Sequence, residues 1–481
     1  MSPNQCRSAM TALAVACLAG CTSPPQKAAA PGIAATPART CDVSRYGAMG
    51  DGVTKDTAAL QRAIDDCATG DGGTVLLARG TFLSGTIRLR SHVTLRIEAG
   101  ATLLGSRDDA DYPVLPTIAD NKESSSCRRA LVVGDHVEKV RIEGGGTIDG
   151  NADIDKWRSM ARPEGERPMA IFTAGSHDVD ISGITVRNAA TWAVVNMEVN
   201  VLRVHGITVD SPLGPTHDGI DVVDGRFVTI EDNTINAGDD AICLKSGSAR
   251  GLRDVLVRRN HVLGAGVANG LKLGTATVGP MTHIAFEDIV IEHVQAAAMA
   301  VESVDGGQVS DVRFERITMN DVGTPVYVML GARGPAAVGA IHDIRFANVR
   351  GSAVRYPWGA LVSGAPADAA GRHDVERITF DDVDIAWRGA ADAAGPHVFA
   401  STPADAARFP TYGGGYPDAK FLFATPTAKS EVIDYALPAY AFFVRNARGV
   451  RFDNCHASIA GVEHRDAVVT HDATVEGTCT R

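Results

Sequence analysis

Three carboxylates are the residues of this chain best suited to chemistry. Asp218 lies in Thr216-His217-Asp218-Gly219-Ile220-Asp221, and 21 residues later Asp239 opens the pair Asp239-Asp240 in Gly238-Asp239-Asp240-Ala241-Ile242-Cys243-Leu244-Lys245. Each group touches a glycine and is followed at once by an apolar, strand-like segment. Brought together, such acids can do two things. Mutual repulsion raises the pKa of one, which can then protonate a leaving oxygen while another carboxylate activates water, the requirements of inverting glycoside hydrolysis. The same oxygens can also ligate calcium. A purely structural protein has little reason to hold three like charges together.

Something must bring them together. Asp56 is placed to cap a helix whose apolar positions Leu60, Ala63, Ile64 and Cys67 follow helical spacing, so one short amphipathic helix covers the start of the domain. From Thr74 onward short apolar segments alternate with Gly-rich turns, as in Val93-Thr94-Leu95-Arg96-Ile97. A paired apolar signature then recurs, starting at Val179, Leu202, Val228, Val255, Ile284, Val312, Ile344 and Ile378, at steps of 23 to 34 residues. Steps of that size are those of a solenoid whose strands stack in parallel around one apolar column. A β-sandwich predicts hairpins and no fixed period. The fold class is therefore all-β, a single-stranded right-handed parallel β-helix with a short N-terminal capping helix. In it residues one coil apart stand about 4.8 Å from each other. The step from Asp218 to Asp239 is close to one coil, so the acids converge on one lateral face while Ile220, Val222, Ile242 and Leu244 point to the core.

Composition bounds the rest. With 481 residues, 45% hydrophobic, a formal charge of −11 and no block of Lys and Arg, the chain is globular and is not built to neutralise nucleic-acid phosphates. Arg7 followed by the apolar run Ala9–Leu18 and by Leu18-Ala19-Gly20-Cys21 reads as a signal that resembles the lipobox of bacterial lipoproteins. That divides the chain into a signal (1–20), a Pro- and Ala-rich tether (21–39) and a β-helix domain (40–481). Cys21 is then the lipidated residue, and the expectation is an exported monomer, at the outer membrane, periplasm or cell surface, that meets a membrane only through its lipid. Of nine cysteines six lie in the domain. Cys41 with Cys67 and Cys455 with Cys479 are the expected bridges, and no Cys/His spacing suggests zinc.

From about Asp42 to the end the chain resembles the family 28 glycoside hydrolases, the polygalacturonase family. Tyr46-Gly47-Ala48, Gly50-Asp51-Gly52 and Asp56-Thr57 are similar to the opening of pectin-acting β-helices. Thr216-His217-Asp218-Gly219 matches the family's Asn-Thr-Asp-Gly at its Asp and Gly, and Gly238-Asp239-Asp240 matches without change. The resemblance implies a pectin-lyase-like solenoid that cleaves a pectic or related cell-wall glycan, with Asp239 as general acid, Asp218 and Asp240 holding the water, and no cofactor or metal. Two motifs depart from it. Asn269 stands where the family has His, and Ala300 and Glu302 replace the Arg and Lys that grip a uronate carboxylate.

Lys245 and Lys272 alternate with core residues and so face outward beside the acids, either as a positive pole for substrate or as ion-pair partners of Asp240 or Glu302. Asn269, His217, Asp221 and Glu302 complete the candidate substrate-binding set. Their plainer readings are a turn residue, a solvent-exposed turn histidine, a turn cap and a surface acid. Interruptions near 149–170 and 389–438, with Trp157, Arg158, Arg162, Arg167, Phe409, Tyr412, Tyr416 and Phe421, are expected to wall the cleft. The same scaffold also admits a calcium-dependent polysaccharide lyase or a non-catalytic glycan binder.

Overall fold

A computed structural model describes residues 39–152, 164–333, 336–355, 359–388, 397–398, 435–461, 463 and 465–481. The signal, Cys21 and the tether up to Ala38 lie outside the described residues, as do Trp157, Arg158, Arg162, Phe409, Tyr412, Tyr416 and Phe421.

The capping helix runs Thr57–Cys67 and buries Leu60, Ala63, Ile64 and Cys67, the positions its periodicity selects. Asp56 is its N-cap residue but makes no side-chain cap. Its carboxylate instead accepts from the N–H groups of Met49 at 2.7 Å and Gly50 at 3.0 Å, tying down the preceding loop. The Cys41–Cys67 bridge joins the helix end to the first strand, Arg39–Asp42, and Cys455–Cys479 joins the last two rungs.

Among the described residues 31 strands pair into one sheet, and its rungs run parallel. The fold is the expected parallel β-helix. Successive rungs of the row that matters here are Val194–His205, Ile220–Glu231, Ile242–Ser246, Leu271–Thr277, Ala297–Ser303 and Thr324–Leu330. Their register stacks Ile220, Ile242, Leu271 and Met299 in one inward column and Val222, Leu244, Leu273 and Val301 in another. All eight are buried. The outward column between them runs Asp221, Cys243, Lys272, Ala300, Tyr327. Strand alternation thus separates core from chemistry residue by residue.

Corners recur with the coils. Phe227, Asp254, His283, Asp311, Asp343 and Arg377 occupy one corner at φ between 52° and 58°, each a coil after the last. Asp accepts the left-handed conformation readily, whereas Phe does so at a cost. In the later coils the core is filled by a stack of Phe286, Phe314, Phe346, Phe380 and Phe452, with neighbouring centroids 4.6 to 5.0 Å apart and rings within 10° of parallel. No helix among the described residues is long and apolar enough to cross a membrane.

Phe314 is fully buried between two stacked rings. Phe314→Ala is expected to cost about 3–5 kcal/mol, read as a lower denaturant midpoint, and an unshifted midpoint would show that the stack contributes little.

Candidate active site

The three acids sit on turns that lead into the rungs, and close approach of those turns explains the glycines beside them. A Cβ on Gly219 would stand 2.4 Å from the Ala241 oxygen, and one on Gly238 would stand 2.3 Å from the Gly214 oxygen. Gly219 donates to the Asp240 carbonyl at 2.9 Å, which sets Asp218 and Asp240 one rung apart. Each carboxylate has its own restraint. Asp239 accepts from the Thr216 N–H at 2.8 Å and from the Asp240 N–H at 3.1 Å, one on each oxygen. Asp240 Oδ1 accepts from the Asn269 N–H at 3.1 Å and side-chain amide at 2.8 Å, and its Oδ2 faces Lys272 Nζ at 3.1 Å. Asp218 Oδ2 faces Lys245 Nζ at 3.0 Å, and the same ammonium also meets Asp221 Oδ1. Asp218, Asp239 and Asp240 are all buried.

Charge compensation follows a pattern. Lys245 serves Asp218 and Asp221 and lies 3.8 Å from the centroid of the Trp192 ring. Lys272 serves Asp240 and, at 3.6 Å, Glu302. Burial pushes the Asp218 carboxyl well above the usual range, Lys245 opposes the rise, and Asp221, Asp239 and Asp240 add to it. Burial likewise raises Asp221 to about 6 against the pull of Lys245. The repulsion expected between the acids is present, but desolvation is the larger cause. Lys245 stays charged, since the acids around it outweigh its own desolvation. Asp218 and Asp221 therefore share one ammonium and have a high affinity for a further proton. No described residue donates a hydrogen bond to the buried Asp221 Oδ2 in the present geometry, although the neighbouring Asp218 carboxyl lowers the Asp221 pKa as a hydrogen-bond partner.

Asp218, Asp240 and Cys243 bring one ligand atom each within 4.8 Å of one another. Calcium takes an all-oxygen shell of about 6–8 ligands, which a thiol and two lysine-paired carboxylates do not resemble. The Cys243 thiol donates to the Gly274 oxygen at 3.1 Å, and burial pushes its pKa up, so it stays neutral.

Other candidates stand where the sequence did not place them. His217 is buried, not solvent-exposed; its imidazole hydrogen-bonds the Gly214 and Pro215 oxygens, and its own carbonyl accepts from Gly238 at 3.0 Å and Asp239 at 3.2 Å. Asn269 is no ordinary turn residue, because its Oδ1 accepts from the Ala297 N–H at 3.1 Å while its amide holds Asp240. Asp221 lies on a strand inside an ion pair and does not cap a turn. Glu302 is fully buried beside Lys272 and Thr275 Oγ1 rather than on the surface, so its charge is met. Arg167 anchors the turn before Asp218, donating to Thr216 Oγ1 at 2.6 Å.

Sequence reasoning missed a strap. Asn121 donates to Glu198 at 3.2 Å and to Asp224 at 3.1 Å, the Lys122 N–H reaches the Gly247 oxygen at 2.8 Å, and the Lys122 ammonium pairs with Asp305. The strap thus ties together coils on both sides of the acids, and Glu123 adds to the field on Lys245. Nothing in its sequence repeats; of its partners, Glu198 and Asp224 stand at matching points of neighbouring strands, and Asp305 lies just beyond Ala297–Ser303. Trp192 carried no signal in the sequence, and Cys243 only its place between Ile242 and Leu244, two residues before Lys245.

Residues 67–389 match the family model described as glycosyl hydrolases family 28. The chain belongs to that family. This family 28 chain is 30% identical over 301 residues to a probable polygalacturonase of Vitis vinifera, covering 59% of this chain and 61% of the relative. It is 27% identical over 329 residues to a polygalacturonase of Ralstonia solanacearum, covering 56% and 61%. The match thus spans about three fifths of the length of these two relatives. Among solved structures it shares its fold with the exopolygalacturonase of Thermotoga maritima (TM-score 0.63, 21% identity, 74% of this chain and 88% of that one). It also shares it with the family 28 exopolygalacturonase of Yersinia enterocolitica (TM-score 0.64, 20% identity, 91% and 78%).

Asp224 gives the strap a pH dependence. Burial raises its carboxyl to about 6, with Glu198 adding and the Ser246 and Ser248 hydroxyls opposing. Its folded value lies above the unfolded value of about 3.9, so the folded chain binds the proton more tightly. That contribution is complete at low pH and is lost as the pH rises from about 4 to about 6. Asp224→Asn is expected to flatten thermal stability across this window relative to the parent, measured by melting at a series of pH values; an identical slope would refute the assignment.

Proposed function

We propose that this family 28 chain hydrolyses glycosidic bonds of a pectic or related cell-wall glycan with inversion. The observation that supports it best is the convergence of three separately restrained acids at one rung boundary. Inversion needs one group to deliver a proton to the leaving oxygen and another to take one from water. Asp240, with Asn269 on one oxygen and Lys272 on the other, is held as a carboxylate and can orient a water by its charge. Asp218 is its partner across the rung, and the burial that raises its proton affinity makes its carboxylate the stronger base. Asp239 is the general acid, its orientation fixed by two backbone N–H groups. No step calls for a metal.

The polygalacturonase names of the relatives support a uronate-containing polymer as substrate. Ala300 and Glu302 argue for weaker reliance on a carboxylate than in those relatives, because Glu302 is already engaged by Lys272. The lipobox-like Leu18-Ala19-Gly20-Cys21 supports an exported, lipid-anchored protein.

Asp239→Asn is expected to lower kcat on an accepted pectic fraction by about 10²–10⁴-fold with little change in KM. Proton NMR of the first product should show the anomer opposite to that of the bond cleaved. Retained configuration, an unsaturated product, or loss of activity with a chelator would each overturn this mechanism. Failure of the parent on every glycan would favour a binding protein.

A further inference from the structure

On the solenoid face beyond the catalytic row, arginines come matched with acids. Arg203 and Arg258 pair with Glu231, Arg313 with Glu287 and Arg316 with Asp288, at 2.6 to 3.2 Å. Arg226 and Arg253 depart from this pattern, for among the described residues neither guanidinium meets a carboxylate. Both residues are exposed and they are register neighbours, so two like charges start from backbones one rung apart, about 4.8 Å. An anion bridging them would relieve the repulsion. The two arginines line a recess of about 410 Å³, within the range of small-ligand sites. Its acid, Glu198, is already engaged by Arg250 at 2.9 Å and by Asn121 at 3.2 Å. Asn200, Arg226, Arg253 and Thr282 form one column through four consecutive rungs. In a chain of net charge −11, that column is a local positive stripe with a hydrogen-bonding side chain at each end.

Phe227 stands beside this stripe. It is 57% exposed, and it holds φ 57° at the corner where the next coils place Asp254, His283 and Asp311. The Arg226 guanidinium lies 5.8 Å from its ring centroid. An aromatic residue kept in a backbone conformation that disfavours it, with more than half of it in solvent, is strain with little packing in return. Its ring is better placed to receive a molecule from outside than to hold the fold together. The strand Ile220–Glu231 carries Asp221 on the catalytic row, turns at Asp224 and Gly225, and presents Arg226 and Phe227 around that corner.

We propose that this corner is a second glycan site, one that holds an acidic polysaccharide by its uronate carboxylates. Carboxylates of successive sugars pair with Arg226 and Arg253, sugar hydroxyls bond Asn200 and Thr282, and one sugar ring lies on Phe227. The site takes no part in bond cleavage. It keeps polymer close to the acids and supplies the carboxylate contacts that Ala300 and Glu302 do not. It rests on the uronate-containing substrate argued above, and on no role assigned to an acid.

The test measures binding of the intact protein to immobilised polygalacturonate, in the cold and at low ionic strength. The double variant Arg226→Gln/Arg253→Gln should bind about three- to tenfold more weakly than the parent, and the difference should vanish in high salt. Phe227→Asn removes the ring and installs a residue at ease at that φ. It should bind polygalacturonate more weakly yet melt no lower than the parent, a combination that a purely structural Phe227 would not give. On trimers these variants should keep kcat/KM within about twofold of the parent, while on polymer KM rises and kcat holds. Equal binding by the parent and the double variant overturns the site. So does binding of the parent to polyglutamate, or to vesicles of phosphatidylglycerol, as strong as to polygalacturonate. In both cases cleavage of oligomers leaves the hydrolytic reading standing. A parent that binds polygalacturonate through these arginines and cleaves nothing keeps the site and overturns the hydrolysis.

Discussion

Parallel rungs of a β-helix are held by their backbone hydrogen bonds at about 4.8 Å, and that fixed spacing underlies every other feature of this molecule. It stacks Phe286, Phe314, Phe346, Phe380 and Phe452 into one column. It also brings acids 21 residues apart in the chain into neighbouring positions. The glycines beside those acids belong to the same constraint, since the turns above and below leave no room for a Cβ. Chemistry in this protein is a matter of which side chains the register places one above another.

The register also solves the electrostatic problem that it creates. Four acids and two lysines are interleaved across four rungs, each lysine bridging a pair of carboxylates. Buried pairs of this kind add little net stability, because desolvation offsets most of the attraction, but losing one partner is severe. Their contribution is orientation and a defined protonation state. Asp240 has Asn269 on one oxygen and Lys272 on the other, while burial gives Asp218 and Asp221 a raised proton affinity. Chemically identical carboxylates thus stand among different partners.

Much of this could be read from the chain, because periodicity and alternation are local properties of sequence. The repeat yielded the solenoid, the alternation around Ile242 and Leu244 turned Lys245 outward, and the cysteine placement yielded both bridges. What escaped depends on contacts between coils. Glu302 reads as a surface acid, yet a register break opposite Leu244 and Ser246 inserts Gly274–Ala276, of which Gly274 and Thr275 lie against it. His217 reads as exposed because a turn usually is, but the next turn packs on it. Asp56 reads as a helix cap, and the loop before it competes successfully for its oxygens. The strap from Leu115 to Cys127 has no periodicity at all. Its role is fixed by Asp224 and Asp305, more than a hundred residues away.

The two disulfides close the first and last rungs of the stack. In a one-dimensional array each repeat is stabilised by its neighbours, so the ends, with a neighbour on one side only, fray first. Bridges at those ends act against fraying where it begins, far from the acids in the middle. A reducing medium would accordingly loosen the termini and expose them to proteases before it disturbed the central coils. The durability of this protein is therefore coupled to the redox state of its surroundings, and its maturation is complete only where thiols are oxidised.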